Sequence, residues 1–325
     1  MELSPSGIPI VDLTPINHKS TSQLDKLTDQ IANACKAAGC FYVKNHGIEA
    51  EIVRNVFHDL RTFFGQPTEY KLQFADTNDS LDRGYEAFET RNVNAFMGRI
   101  GLPNDPVEKY AFGPVSEFCR PIPDNIWPDV PPGLKSKSSV QSYYEQVRSL
   151  GEKLMRLFAL AARAPSQEFF FERCHQGEHI LRANFYPKTI RPKPMQSTRF
   201  GEHTDSTPFT ILATDDCPRA LQVKNANQEW VYADPIPGTL FINLGDFMAI
   251  WTNDKWKATV HKVVWPEEHE NKARLSLVYF LLMNPGVVVE CLPSCVQDDE
   301  APNYKPVTHA DYVNERMSRL AGKYY

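Results

Sequence analysis

The sequence predicts a mainly β fold, an antiparallel sandwich or barrel braced by helices, on three observations. After Gly177, short β-rich runs arrive about every ten residues, separated by turn signals such as Asn225-Ala226-Asn227, Pro237-Gly238 and Asn284-Pro285-Gly286. Ahead of them, apolar residues recur at helical spacing in long stretches. The composition is that of an ordinary globular chain: of 325 residues, 42% are hydrophobic and 23% charged, which excludes disorder and fibrous architecture for the bulk of it.

The elements follow in order. Residues 8–12 read as a short extended segment, with Pro9 suited to a sheet edge. From Ser22, the residues Leu24, Leu27, Ile31 and Ala34 mark a helix, and Gly39 sits where it stops. A strand over 40–43 and a second amphipathic helix over 49–64 come next. Residues 66–133, rich in Pro and Asp, read as a long irregular stretch of the kind that covers a site or a partner surface. Val140, Tyr144, Val147, Leu150, Leu154, Leu157, Phe158 and Ala161 then predict one long helix over 138–163, a spine for a sheet, with Pro165 at its end. Strands are expected over 180–186, 209–213, 221–223, 230–233, 239–243, 258–264, 276–282 and 287–290, and a terminal helix over 310–320.

Several function classes drop out. A net charge of -5 argues against a nucleic-acid binder, which carries a basic stripe. The most apolar helical stretch, 154–164, is interrupted by Arg156 and Arg163 and falls far short of the roughly 20 residues a membrane span needs. The first residues lack the basic head and apolar run of a signal peptide. Seven scattered cysteines without a C-x-x-C fit reduced, mostly buried thiols in the cytoplasm; Cys291 and Cys295 could pair only in an oxidising setting.

The chemistry centres on Gly201-Glu202-His203-Thr204-Asp205. On a strand, residues two apart share a face, so His203 and Asp205 can both project into a barrel. Alone this is weak, because with nine histidines an H-x-D arises by chance about half the time. His261, on a second expected strand, strengthens it. Two imidazoles and a carboxylate form the facial triad suited to non-haem Fe(II), although three such ligands also serve a catalytic zinc. Arg274 and Ser276, again two apart on a strand, shift the balance towards iron. A guanidinium and a hydroxyl inside a barrel make a carboxylate clamp, which an iron enzyme with a dicarboxylate co-substrate uses and a zinc hydrolase does not. Pairing of Arg274 with an internal acid is the plain alternative.

With these residues goes an ordered series spanning nearly the whole chain. It includes the segment from Gly39 to Gly47, Arg83-Gly84-Tyr85, Asn125-Ile126-Trp127-Pro128, the segment from Arg182 to Pro187, Ala220-Leu221-Gln222-Val223, and Asn243-Leu244-Gly245-Asp246. In it the chain resembles the isopenicillin N synthase-like Fe(II)/2-oxoglutarate-dependent oxygenases. The resemblance implies a double-stranded β-helix (jelly roll) core braced by N-terminal, central and C-terminal helices. It implies one oxygenase domain over 1–325, with a helical and loop part (1–178), a catalytic β-core (179–292) and a C-terminal tail and helix (293–325). By position, His203, Asp205 and His261 would bind Fe(II). Arg274 and Ser276 would hold 2-oxoglutarate, with Tyr186 and Asn184 reaching it; Arg182, on the same face, reads as structural support. Dioxygen completes the co-substrates. Three departures stand out: Ala220 for a frequent glycine, Thr214-Asp215 for a common Gln-Asp, and no match near the C-terminus to the iron-contacting glutamine of isopenicillin N synthase.

The activity so implied is oxidation of an unactivated C–H bond of a small molecule, in specialised metabolism, by hydroxylation, desaturation or ring closure. The alternative is an oxidative cyclase like isopenicillin N synthase that needs no 2-oxoglutarate; a non-catalytic binding protein on the same scaffold is a third reading. No nucleic acid, membrane or obligatory protein partner is expected, and no catalytic side chain beyond the metal ligands. Arg91 and Arg99, in the stretch overlying the barrel mouth, are weak candidates for a substrate contact. His175 and His179 read as a solvated loop, His46 as a structural hydrogen-bonding residue, and Asp298-Asp299-Glu300 as a wet surface run.

Overall fold

A computed structural model of the chain describes residues 1–17, 21–76, 83–99, 101–115, 124–128, 136–188, 198–265, 272–297 and 301–321. The chain opens with β1 (Glu2–Leu3), β2 (Pro9–Asp12), α1 (Thr21–Ala38), β3 (Cys40–Lys44) and α2 (Ala50–Phe64). In α1 the buried residues Leu27, Ile31, Ala34 and Cys35 form one stripe, as the spacing requires. Gly39 ends it with φ +67°, and a Cβ there would lie 2.2 Å from the Lys257 carbonyl oxygen, so both conformation and space call for glycine.

The stretch expected to be irregular holds α3 (Thr68–Lys71), β4 (Gly84–Glu86), α4 (Val93–Phe96) and β5 (Glu108–Phe112). All five residues of β5 are buried, including two charged ones that mask the strand in the sequence. Each is paired: Lys71 Nζ lies 2.5 Å from Glu108 Oε2, and Lys109 Nζ 2.7 Å from Glu86 Oε1. The long helix α5 (Ser136–Ala161) and the short α6 (Phe169–Cys174) follow. α5 buries Val140, Tyr144, Val147, Leu150, Leu154, Leu157 and Phe158 and packs on α1, α2 and α6.

The β region comprises β6 (Ile180–Tyr186), β7 (Phe200–His203), β8 (Phe209–Thr214), β9 (Leu221–Lys224), β10 (Trp230–Tyr232) and β11 (Thr239–Leu244). After α7 (Asp246–Trp251) come β12 (His261–Val263), β13 (Arg274–Leu281), β14 (Val288–Val289), β15 (Val307–Thr308) and α8 (His309–Ala321). Among the described residues, nine strands form one sheet in the order β1-β2-β3-β11-β8-β13-β6-β5-β4, and four form a second, β10-β9-β12-β7. Together they make the expected double-stranded β-helix. Alternation along the shared strands sorts the core into two layers: Phe41, Val43, Phe209 and Ile211 join the cluster of the helices, whereas Cys40, Tyr42 and Leu212 pack with Leu221, Val223 and Val263 of the smaller sheet. Pro9 is not at the sheet edge, because β1 pairs outside it through Leu3.

His179 is not solvated. It is 3% exposed, and its Nδ1 accepts a hydrogen bond from the Leu282 amide at 3.0 Å. Burial pushes its imidazole down to about 3. His175, half-buried, stacks on Phe171. His46 has the structural role read for it, its Nδ1 accepting from the Ile48 amide at 3.1 Å. Cys35, Cys40, Cys174, Cys217 and Cys295 are buried thiols and Cys291 is half-buried; Cys119 and the run 298–300 lie outside the described residues. Among the described residues, no helix is long and apolar enough to cross a membrane.

Candidate active site

β7 and β12 lie side by side, with His203 and His261 directly opposite each other and their rings 4.1 Å apart. Each ring is fixed by its own strand. His203 Nδ1 is 2.8 Å from the Gly201 carbonyl oxygen, and His261 Nδ1 is 3.0 Å from that of Thr259. A carbonyl only accepts, so each Nδ1 carries the proton and each Nε2 presents a lone pair. Burial, with the neighbouring His261 second, holds the His203 imidazole well below its usual range, and it stays neutral.

Asp205 lies beyond the end of β7. Backbone bonds aim it instead: its carbonyl accepts from the Asp246 amide at 2.9 Å, and the Thr207 carbonyl accepts from Phe247 at 3.3 Å. Its Oδ2 accepts from Thr210 Oγ1 at 3.2 Å, which leaves Oδ1 facing the two Nε2 atoms, 3.7 Å and 3.8 Å away. One ligand atom from each residue falls within 4.8 Å of the other two. Neighbouring ligands on an octahedral ion sit about 3 Å apart, so closing on a cation takes shifts of well under about 1 Å per side chain. The donor set fits a divalent transition metal with half its sphere open.

The arginine and serine expected to bind an anion are on the larger sheet. In β13, Arg274 is 2% and Ser276 1% exposed, and Arg274 Nη1 donates to Ser276 Oγ at 3.1 Å. Across the ladder Arg274 faces Tyr186 and Ser276 faces Asn184. The guanidinium lies 5.3 Å from the Tyr186 ring centre. Burial raises the Tyr186 phenol to about 12 against the pull of Arg274, so it remains a neutral donor. Among the described residues no carboxylate forms an ion pair with Arg274: Asp215, close enough to feel its charge, accepts from the Leu275 amide at 2.7 Å and pairs with Arg61. All seven of these residues line one cavity of about 390 Å³. The buried Asn184 Oδ1, Thr207 Oγ1 and Asn243 Oδ1, on residues lining the same cavity, have no hydrogen-bond partner among the described residues, which suits the cavity to a polar ligand.

Comparison with known proteins is decisive at the level of family. Residues 8–129 match the family described as non-haem dioxygenase in morphine synthesis N-terminal, and residues 177–282 match the 2OG-Fe(II) oxygenase superfamily. Homoarginine-6-hydroxylase 2-ODD-C23 of Glycine max is 31% identical over 301 residues, 88% of each chain. The chain belongs to the 2-oxoglutarate-Fe(II) oxygenases. The oxygenase is also similar to homoarginine-6-hydroxylase 2-ODD-233 of Oryza sativa subsp. japonica, 28% identical over 96% of each chain. A full-length Neurospora crassa protein, solved in complex with alpha-KG and thymine, superposes with a TM-score of 0.82 at 29% identity, covering 97% of both chains.

Around this centre the oxygenase brings in residues that the sequence reading did not assign to it. Arg182, read as structural support, is part of the cavity wall, with its guanidinium 4.9 Å from the Phe280 ring centre. Alternation with Asn184 and Tyr186 was the available signal. Val93 and Phe96 of α4, with His309 and Val313 of α8, also line it. The buried Asp105 ties α4 to β7 by accepting from the Val93 amide at 2.6 Å and the Gly201 amide at 3.0 Å. Arg91 and Arg99 stand off the cavity. Arg91 is half-exposed and 2.7 Å from Glu86, while Arg99 donates to the Asn94 side chain at 3.1 Å and to the Glu202 carbonyl.

Proposed function

We propose that His203, Asp205 and His261 hold the Fe(II) of this oxygenase, and that Arg274 and Ser276 grip the distal carboxylate of 2-oxoglutarate beside Tyr186 and Asn184. One observation carries the reading: two imidazole lone pairs and a carboxylate oxygen converge in the same cavity as a buried arginine that forms no ion pair among the described residues. A buried guanidinium needs an anion to offset its desolvation, and a dicarboxylate supplies one. Arg274 and Ser276 orient the co-substrate, while the neutral Tyr186 hydroxyl and the Asn184 amide offer hydrogen bonds near it. Bound Fe(II) with 2-oxoglutarate and dioxygen supplies the oxidising power for C–H cleavage. The chain contributes orientation of the reacting groups and a cavity partly lined by the apolar Val93, Phe96 and Val313, which disfavour water.

Co-substrate and substrate share about 390 Å³, which favours a small molecule. Hydroxylation in specialised metabolism is the reading closest to the homoarginine hydroxylases and to the jasmonate-induced oxygenase of Arabidopsis thaliana. A single domain over 1–325 is favoured by the shared sheet, in which β2 and β3 from the N-terminal part continue β11 and β8 of the core. The test is anaerobic loading with Fe(II) and 2-oxoglutarate, then oxygen with a panel of candidate metabolites, read by succinate release and mass spectrometry. Turnover that requires 2-oxoglutarate and disappears in His261→Ala is the expected result. Product formed at full rate without 2-oxoglutarate would support the oxidative cyclase instead.

A further inference from the structure

The C-terminal helix α8 delivers a cation to the residues on either side of Asp205. Arg316 Nη1 lies 2.9 Å from Asp246 Oδ2 and donates to Ser206 Oγ at 2.7 Å, and its Nη2 donates to Thr204 Oγ1 at 3.3 Å. Ser206 Oγ in turn donates to Asp246 Oδ2 at 3.3 Å. The guanidinium sits 5.1 Å from the Tyr312 ring centre and 6.0 Å from that of Phe96. One planar group therefore touches both neighbours of Asp205 and the acid whose amide holds the Asp205 carbonyl, and lies near an aromatic ring that lines the cavity.

That geometry has a mechanical consequence. Asp205 lies past the end of β7, so sheet hydrogen bonds do not fix its backbone, and the direction of Oδ1 depends on what restrains residues 204–206. A fork of fixed shape is suited to that restraint, because it holds two hydroxyls and a carboxylate in one plane. The same helix lines the cavity through His309 and Val313 and packs on α4, whose Val93 and Phe96 also line it. Seating of α8 and aim of Asp205 are thus joined through one side chain.

We infer that Arg316 is a positioning residue, which couples the seating of the C-terminal helix beside the cavity to the orientation of Asp205 and so to retention of the metal. The inference rests on the proposed metal role of Asp205. It is tested on the full chain with Co(II) as the metal probe, by anaerobic titration in the presence of 2-oxoglutarate. Three variants are compared: Arg316→Ala, Arg316→Lys, and a double variant Thr204→Val with Ser206→Ala. The double variant keeps the ion pair to Asp246, so it separates aiming of Asp205 from tethering of α8. Limited proteolysis within α8 reads the tether independently.

Loss of about 10-fold in Co(II) affinity is expected for Arg316→Ala and for the double variant, with Arg316→Lys between them and wild type. In the double variant α8 stays as protected from protease as in wild type. Wild-type Co(II) affinity in the double variant overturns the inference, even if Arg316→Ala is too unstable to measure. So does an Arg316→Ala protein that exposes α8 to protease and yet binds Co(II) normally, since the arginine is then only a tether. The His261→Ala control keeps the two readings apart. Lost binding in that control with intact binding in the others sinks this inference alone, and wild-type binding in it sinks the metal site as well.

Discussion

Asp205 divides its two oxygens between a hydroxyl and a pair of imidazoles, and that division decides which atom can face a cation. Thr210→Val removes the bond that holds Oδ2, and Co(II) affinity is expected to fall about 10-fold in equilibrium dialysis. Arg274 works by shape as well as charge. Arg274→Lys retains the charge but loses the fork, so the KM for 2-oxoglutarate is expected to rise by about 10-fold or more, with Co(II) affinity in its absence unchanged. His179 gives a pH dependence away from the site. Its folded value near 3 lies below the ordinary 6.5, so between those values the unfolded chain binds more protons. Its contribution to stability is therefore complete above pH 6.5 and is lost as pH falls towards 3, at up to about 1.4 kcal/mol per pH unit. Urea unfolding of His179→Gln is expected to show a shallower fall over that range than wild type; equal slopes would remove the imidazole from the account.

Between elements, the contact that matters most is the one between the loop after β7 and the turn into α7. Gly245 has φ -102°, which any residue can adopt, so its need for glycine is one of space. A Cβ would lie 2.0 Å from the Thr207 carbonyl oxygen and 2.7 Å from that of Asp205. Gly245→Ala must therefore push the ligand loop away, at a cost of about 1–3 kcal/mol measured by urea unfolding, with weakened Co(II) binding. Gly201 serves likewise on β7, where a Cβ would meet the Asn94 side chain at 2.4 Å. Both glycines sit in motifs visible in the sequence, but only the approach of a distant backbone or side chain explains them.

For the whole molecule, the site joins two sheets: the proposed iron ligands come from the small one and its following loop, the proposed clamp from the large one. Filling the space between them stabilises only the folded chain. With Co(II) and 2-oxoglutarate each about 100-fold above its dissociation constant, binding adds roughly 2.7 kcal/mol per ligand, and Tm is expected to rise by several degrees. EDTA should reverse the rise. An unchanged Tm under saturating Co(II) and 2-oxoglutarate would falsify the proposed site. The periodic helices α1, α2 and α5 and most core strands were legible because each repeats a local pattern. β5 was not, since its buried Glu108 and Lys109 find partners on other elements, and His179 was not, since its partner amide is Leu282.

The sequence by itself determined the chemistry available to this oxygenase: which imidazoles, carboxylates and guanidinium it owns, and their two-residue spacing along strands. Spacing is enough to share a face, and an ordered set of motifs is enough to name a family. Tertiary structure decided which of those groups meet. It put His203 opposite His261, took Asp205 off the strand and aimed it from α7, set Arg182 in the wall, left Arg91 and Arg99 outside, and brought Arg316 to the ligand loop. Those outcomes depend on contacts between residues far apart in the chain, and local periodicity carries no record of them.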